Sequence, residues 1–575
     1  MAIFNMLSSY SWGAKVVLTL AAFAVNFGEF WLIAQLCTSN PLAKSVALLK
    51  QPDISDHSQT LKSHFDALSK LINAMFDVTK CIVELTGIHS KYISIGEPPL
   101  STAMTHIHTA TYWIIASVVA CTRQITGLIG MSLEFPTVTS ELSSLAHKVS
   151  SIHEHLQSRL RLCYEHIDEK KLMEAFEHFK RTIETPQVDN LKILQNIFGK
   201  EKVLLNPDRA EVYINLFRKK HVLLLISDLD ISQEEIRVLE AVYKERVSSG
   251  RNYEIIWLPI VDRTTWNDGY YQKKFSTLQS IMSWYTVSHH VAIEPAVIKY
   301  IREEWGFVKK PIAVTLNPQG KVLCPNALNM MWIWGNSAFP FSSEKEESFW
   351  KAKPWTLDHL VGRLEPNLPT WVSQQKVVCF YGSEEMEWIE SFTTATKGVA
   401  KALDIGIEMV YVGQKNAKEE HKKITGLIKE KELSHTWEDE NVWFFWNQLE
   451  SMLYWKTKHG KTIENDVIKQ EVMKMLGYDS SKNGWAVFYT GSGELVKANG
   501  EKVLSTMNSF VEWEKLANQI GFIPALRERL ERVIPHHYCA RLILPGNGGR
   551  IPETVQCAEC GRPMELNFLY RCGAE

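Results

Sequence analysis

KKHVLLLISDLDIS, residues 219–232, separates two kinds of sequence within this chain of 575 residues. Its five apolar residues, Val222–Ile226, include β-branched members and are closed by polar residues, a pattern that predicts a buried β-strand. Before this stretch helical periodicity recurs and strand signals are almost absent. After it, strand patterns alternate with helical ones. We therefore expect a helical N-terminal domain followed by α/β structure.

The α/β part contains one plan twice. The pattern predicts a helix, Gln233–Val247, after the first strand, then a second buried strand at 253–261 and a strand-turn-strand at 311–323. Strands that alternate with helices and end in a hairpin predict an α/β unit with a mixed sheet. The plan recurs in the strand, helix, strand and hairpin patterns at 375–382, 384–403, 405–413 and 484–500. The sequence thus predicts a degenerate tandem repeat of about 150 residues.

The predicted fold class is multidomain, α + α/β. The expected domains are a helical N-terminal domain (1–195), a first α/β unit (196–345), a linker (346–370), a second α/β unit (371–534) and a cysteine-rich tail (535–575).

Each repeated unit resembles the thioredoxin fold, most specifically in KKPIAVTLNPQGKV (309–322). The resemblance implies that Pro311 follows a cis peptide bond. A working enzyme of this fold would need a C-x-x-C where the helix begins after the first strand, because the helix N-terminus lowers a thiol pKa. The two copies have SDLDISQEE (227–235) and YGSEEMEW (381–388) there, and Gly484 stands at the second proline position. Both copies should therefore lack thiol chemistry.

Charge and hydropathy exclude two classes of partner. The net charge is −2, so no basic field is available for a nucleic acid or an anionic membrane surface. Residues 14–36 imitate a membrane span, but the uninterrupted apolar run covers only Val16–Val25, whereas a span needs about 20 residues. We expect a buried bundle helix there and no integral membrane anchor.

Four of the ten cysteines lie in the tail: Cys539, Cys557, Cys560 and Cys572. Cys-x-x-Cys-Gly at 557–561 is typical of a zinc knuckle, in which two thiolates converge on one ion and glycine permits the turn. The two flanking cysteines could complete the tetrahedron, and His536 or His537 could replace one of them. A structural zinc site is favoured, while a disulfide or redox-switch array and inert reduced thiols remain open. The other six cysteines should be small buried hydrophobes: Cys37, Cys81, Cys121, Cys163, Cys324 and Cys379.

The whole chain resembles the sieve element occlusion family, the plant phloem P-proteins that include the forisome subunits of legumes. The resemblance is carried by SSYSWGAKVVLTLAAFAVNFGEFWLIAQL (8–36), NPLAKSVALLKQ (40–51), HVLLLISDLD (221–230), YEIIWLPIVD (253–262), the proline strand, and HHYCARLILP with CAECGRPME. Family members usually have roughly a hundred further residues before the SSYSW segment, about a domain's worth, so we expect this chain to lack part of the usual N-terminus. Tyr538 and Gly573 stand where relatives often carry a second cysteine.

The resemblance implies a non-enzymatic structural protein in the cytoplasm of phloem sieve elements. Such proteins assemble with themselves and with related subunits into filaments or protein bodies, contribute to phloem development and occlude sieve plates after wounding. A response to calcium is implied through the forisomes alone. The tryptophan-rich stretch NVWFFWNQLESMLYW (441–455) is a candidate subunit contact, or else core of the second α/β unit. The alternative function is a thioredoxin-like thiol oxidoreductase that uses Cys557 and Cys560.

Overall fold

A computed structural model of the chain falls into two compact units, Met1–Glu177 and His178–Glu575. The structure describes residues 8–39, 58–88, 90–130, 138–199, 204–261, 269–288, 293–352, 360–415, 418–461, 465–478, 484–491, 494–532, 554–556 and 563–565.

The first unit contains long helices: α1 (Trp12–Ser39), α2 (Ser58–Thr86), α3 (Leu100–Gly130) and α4 (Val138–Glu184), which extends past the end of the unit. Each of α1, α2 and α3 contacts the other two. The Trp12 and His108 rings lie 5.1 Å apart, whereas the His64 ring on α2 bonds Gln124 near the end of α3. Helices α1 and α3 are therefore parallel, and α2 is antiparallel to both.

The predicted bundle helix at 14–36 is confirmed. It lies within α1, which buries Val16, Leu20 and Phe23 among the other helices at the spacing of one helix face. Within the described part of the chain, no helix is long and apolar enough to cross a membrane.

The described part of the second unit contains two large sheets, a two-stranded sheet and the remaining helices. The described helices after α4 are α5 (Leu191–Phe198), α6 (Gln233–Ser248), α7 (Gly269–Ile281), α8 (Pro295–Glu303), α9 (Leu328–Trp334), α10 (Ser343–Ala352), α11 (Leu368–Ser373), α12 (Met386–Ala402), α13 (Lys418–Glu430), α14 (Asp439–Lys458), α15 (Val467–Tyr478), α16 (Gly500–Asn508), α17 (Glu514–Ile520) and α18 (Phe522–Arg532).

The described strands are β1 (Leu204–Leu205), β2 (Glu211–Val212), β3 (His221–Ser227), β4 (Tyr253–Pro259), β5 (Tyr285–Val287), β6 (Ile312–Leu316), β7 (Val322–Cys324), β8 (Val377–Gly382), β9 (Ile407–Tyr411), β10 (His435–Thr436), β11 (Trp485–Tyr489), β12 (Leu495–Asn499), β13 (Thr554–Gln556) and β14 (Pro563–Glu565).

Both large sheets contain the same five-strand arrangement. The seven-stranded sheet has the order β2-β1-β5-β4-β3-β6-β7 and the five-stranded sheet the order β10-β9-β8-β11-β12. In each, the central strand (β3 or β8) pairs parallel with the next strand in sequence and antiparallel with a C-terminal hairpin. The α + α/β class and the repeated strand plan are thus confirmed, and β1 and β2 extend the first copy. Strands β3 and β8 are apolar along nearly their whole length because layers cover both of their faces.

The expectation of a cis bond at Pro311 is wrong. The cis peptide bonds among the described residues precede Pro99 and Pro340. Strand β6 begins at Ile312, directly opposite Ile226, and Pro311 stands just outside this ladder. A trans proline fits there because the ladder needs no hydrogen bond from its nitrogen.

Candidate functional site

The position where a thioredoxin-like enzyme would carry its thiols is filled by an aromatic ring in the second copy. Trp388, in the first turn of α12, is 8 % exposed and donates from Nε1 to the Gly500 carbonyl at 3.1 Å. Its ring lies against Gly484, where an added Cβ would come within 3.0 Å of the indole. The backbone N–H of Gly500 in turn donates to the Gly484 carbonyl at 2.7 Å. These contacts pack the start of α12 against the β11–β12 hairpin of the second copy.

The same position in the first copy is a capped helix start. Ser232 Oγ accepts from the Glu235 N–H at 3.2 Å, and Asp230 forms an ion pair with Lys274. Ser227, at the end of β3, accepts from Trp257 Nε1 at 2.9 Å. A serine cap and acidic residues in the first turn stabilise the helix through its unpaired N–H groups and its dipole. The stretch SDLDISQEE (227–235) therefore contains the capped start of α6.

Glu235 is the titratable group at this helix start whose ionisation is perturbed. Burial raises its pKa to about 7, while the positive charges of Lys415 and Lys310 act in the opposite direction. Lys310 precedes β6 and Lys415 follows β9, so this carboxyl lies where the two α/β copies meet. Among the described residues, no three histidine, cysteine or acidic side chains are grouped to hold a metal ion.

The thiols that the structure describes are buried and unreactive: Cys81, Cys121, Cys163, Cys324 and Cys379. Burial raises the pKa of Cys121 to about 12 and that of Cys379, inside β8, well above its usual range. Since the thiolate is the nucleophile, such cysteines do not support redox chemistry. Their predicted role as small hydrophobes is confirmed, while the Cys37 side chain lies outside the described residues.

The tryptophan-rich helix α14 packs between the two α/β copies. We call the contacts of α14 with α9 and α10 the seam. Trp446 donates from Nε1 to the Gly413 carbonyl at 3.2 Å and meets Trp485 edge-on at 5.7 Å, both within the second copy. From the same helix, Gln448 donates to the Trp332 carbonyl at 2.9 Å. Trp332 belongs to α9, which follows the hairpin of the first copy. These aromatic side chains therefore form core, as the alternative interpretation of 441–455 expected, and the interpretation as a subunit contact is wrong for the buried ones.

A second aromatic contact continues this seam at the other end of α14. Trp455 stacks on Trp350 of α10 with ring centroids 4.8 Å apart. Lys456 lies 4.7 Å from the Trp350 centroid and bonds Asp466 at 2.7 Å, with both charged side chains nearly buried. Burial alone would raise the pKa of Asp466, but the hydrogen bond from Lys456 holds it below its usual value. The cation is thus shared by a carboxylate and an aromatic face, which satisfies a buried charge.

Glu346 is buried beside this aromatic contact and is 7 % exposed. Burial raises its pKa to about 7, against the opposing influence of Lys458 and the Trp455 N–H. No pattern in the sequence points to this group, because the acidic run Glu344–Glu347 is typical of a solvated face. Glu346 is the residue of this run that lies on the buried face of α10.

The tail cysteines lie outside the described residues: Cys539, Cys557, Cys560 and Cys572, and so do His536 and His537. The structure describes two short strands on either side of the C-x-x-C. Strands β13 and β14 pair antiparallel, with Gln556 opposite Pro563. Gln556 and Pro563, the described residues that border the C-x-x-C, are therefore neighbours.

Two protein-family models and several plant proteins are similar to this chain. The family described as sieve element occlusion N-terminus matches residues 1–187, and sieve element occlusion C-terminus matches residues 344–574. Protein SIEVE ELEMENT OCCLUSION B of Arabidopsis thaliana is 37 % identical, with 100 % of this chain and 80 % of the relative covered. Protein SIEVE ELEMENT OCCLUSION A of the same plant is 35 % identical, over 100 % of this chain and 71 % of the relative. No solved structure matches the chain.

These matches cover both ends of the chain and agree with the resemblance found in the sequence. The helical bundle falls within the N-terminal match, and the second α/β copy with its hairpin tail falls within the C-terminal one. The chain belongs to the sieve element occlusion family.

Proposed function

We propose that this chain is a non-enzymatic structural protein of the phloem, located in the cytoplasm of sieve elements. The observation that carries the proposal is full-length similarity to relatives whose names state sieve element occlusion. The chain assembles with itself and with related subunits into filaments or protein bodies. In that form it contributes to phloem development and to the wound occlusion of sieve plates.

The absence of a catalytic role is supported by how both α/β copies use their helix starts. We infer that the two copies are degenerate thioredoxin-like units, because they share one strand order and end in equivalent hairpins. In one copy Trp388 packs on Gly484, and in the other Ser232 caps α6. Each arrangement stabilises the fold and leaves no activated thiol at that position.

The C-terminal tail has a structural role in this proposal. The thiolates of Cys539, Cys557, Cys560 and Cys572 would hold a zinc ion, with His536 or His537 as a possible replacement for one of them. The antiparallel pair β13–β14 supports this, because a knuckle needs a short hairpin on either side of its C-x-x-C. Four protein ligands would leave no open position for a water molecule, so the ion would stabilise the tail without supplying chemistry. The competing function, thiol oxidoreductase activity through Cys557 and Cys560, is tested by an insulin reduction assay.

Calcium is proposed only as a modulator of assembly. Among the described residues no acidic side chains are grouped to hold a metal ion, and several pair with basic ones, as Asp230 does with Lys274 and Glu440 with Arg237. Calcium would therefore act on the assembled state and not at a preformed site in these residues.

Expression of the fluorescently tagged chain in living sieve elements tests the proposal. We expect bodies or filaments in intact sieve tubes and accumulation at sieve plates after injury. A signal that stays diffuse before and after injury, in the presence of the related subunits, would contradict the proposed role.

A further inference from the structure

The first unit exposes an apolar face on helix α3. Its buried stripe includes Ile107, Ile114 and Cys121, whereas Tyr112 and Val119 project from the opposite side and are 64 % and 62 % exposed. The described contacts of α4 reach other positions on α3, through the ring pair His155–His106 and the Lys148 ammonium over the Trp113 ring. Tyr112, Ile115 and Val119 stay exposed, while His108, one turn before Tyr112, contacts the Trp12 ring at the start of α1.

Three threonine hydroxyls near this face have hydrogen-bond partners within the helix. The hydroxyls of Thr105, Thr122 and Thr126 donate to backbone carbonyls one turn earlier, at 2.7 to 2.9 Å. Arg123 is the single lysine, arginine, aspartate or glutamate in the 31 residues of α3. A surface whose hydroxyls have partners and which carries almost no charge can be buried with little desolvation cost. We name Tyr112, Ile115 and Val119 the α3 ridge.

A groove of complementary character lies between α1 and α2. It is lined by Val17, Leu20, Ala21, Phe76, Thr79 and Val83, with Lys80 and Glu84 at its edge, and encloses about 470 Å³. Val17, Phe76 and Val83 are 40 to 47 % exposed, and the Thr79 hydroxyl donates to the Met75 carbonyl at 2.7 Å. The two edge charges have opposite sign, so the groove favours an uncharged apolar ridge over a charged partner.

The ridge and the groove are separate surfaces of the bundle. The ridge lies on α3, whereas the residues that line the groove belong to α1 and α2. All three helices pack in one bundle, so the ridge cannot reach the groove of its own molecule. A contact between them would join two molecules heterologously, and a heterologous contact generates a filament when its rotation does not close a ring.

We propose that the α3 ridge of one molecule docks into the α1–α2 groove of a second copy of this chain. This inference rests on the proposed assembly function and names the surface that would carry it. Docking covers apolar residues that are exposed on the isolated bundle. An assembly of docked molecules keeps a free ridge at one end and a free groove at the other, so it can grow at both ends.

The experiment uses full-length protein with Val83→Glu in the groove or Val119→Lys on the ridge. Both positions are exposed, so the fold should survive, which circular dichroism and thermal unfolding verify. Each substitution places a charge in an apolar contact and should raise the critical concentration for sedimenting assemblies at least about tenfold. The matched control, Tyr164→Glu, changes an aromatic residue of α4 that is 48 % exposed and should assemble like wild type.

Mixing the two variants gives the sharper result. Val83→Glu keeps its ridge and Val119→Lys keeps its groove, so a mixture should form 1:1 complexes that stop growing, visible by analytical ultracentrifugation. Wild-type assembly by either folded variant, or a mixture without complexes, would overturn this contact while leaving the proposed function intact. Wild-type protein that never self-associates would overturn both. If a variant fails to fold, Val17→Glu and Tyr112→Lys test the same two surfaces.

Discussion

The indole ring of Trp388 packs on Gly484, so closely that a methyl group there would lie 3.0 Å from the ring. Gly484 also has a φ of +77°, which favours glycine for a second, independent reason. Gly484→Ala should therefore lower the free energy of unfolding by about 1–3 kcal/mol, through backbone strain and displacement of Trp388. Chemical denaturation of the full chain measures the effect.

The matched control for this change is Gly398→Ala. Gly398 lies within α12, and nothing stands within 4 Å of its added Cβ. That substitution should raise the stability by about 0.5–1 kcal/mol because alanine favours a helix. Equal effects of the two substitutions would show that the contact between Trp388 and Gly484 does not hold the hairpin to α12.

Trp455→Ala should strongly destabilise the seam between the α/β copies. It removes the stack on Trp350 and one wall around the buried Lys456, at a cost of about 3–5 kcal/mol. The adjacent Tyr454 is 51 % exposed, so Tyr454→Ala should change stability by less than about 0.5 kcal/mol. Thermal unfolding of the three proteins compares them. Comparable losses from the two neighbours would contradict a seam built on the inner face of α14.

The buried carboxyl of Glu346 should make the stability of the protein decrease as the pH rises. Its pKa is raised from 4.5 to about 7 in the folded state, so folding favours the protonated carboxyl. The stability it contributes is present below pH 4.5 and is lost as the pH rises toward 7. Glu346→Gln should therefore stabilise the protein at pH 8 by up to about 3 kcal/mol, with much less effect near pH 4.5. Thermal midpoints measured across this range test the sign.

Glu347→Gln is the control for the same experiment. That side chain is 47 % exposed and pairs with Lys351 on the helix surface, at 3.7 Å. Its replacement should leave the pH profile almost unchanged, since exposed pairs contribute little. A Glu346→Gln profile parallel to that of wild type would show that the carboxyl does not titrate in this range.

The cysteines of the C-terminal tail should bind zinc and should not catalyse thiol reduction. Purified protein should contain about one zinc ion per chain, and Cys557→Ser or Cys560→Ser should abolish it, because each removes one of four ligands. Cys81→Ala, which changes a buried thiol of the helical unit, should retain the metal. Elemental analysis measures this. Metal-free wild-type protein that reduces insulin would contradict the structural interpretation.

The strands and their repetition were predictable because buried strands leave short apolar runs. Strands β3, β4 and β8 fall in the stretches that the sequence indicated. Short strands were missed, as β1 and β2 are two residues each and carry no pattern. The end of the second copy is divided into two helices, because Gly521 has a φ of +91° and separates α17 from α18.

The roles of individual aromatic and acidic residues were less predictable. Tryptophan content indicated large apolar contacts but not whether they lay inside the molecule or between subunits. Trp332 and Trp446 are more than a hundred residues apart in sequence, and only the packing of the two copies brings their helices together. Glu346 depends on the same packing, because α14 covers one side of an otherwise polar helix.

Negative-stain electron microscopy of the purified full chain, over a range of concentrations and with and without calcium, tests the central claim most directly. A structural subunit of this family should form filaments or larger bodies, alone or with co-expressed relatives. Monodisperse particles under every one of these conditions would contradict the assembly function.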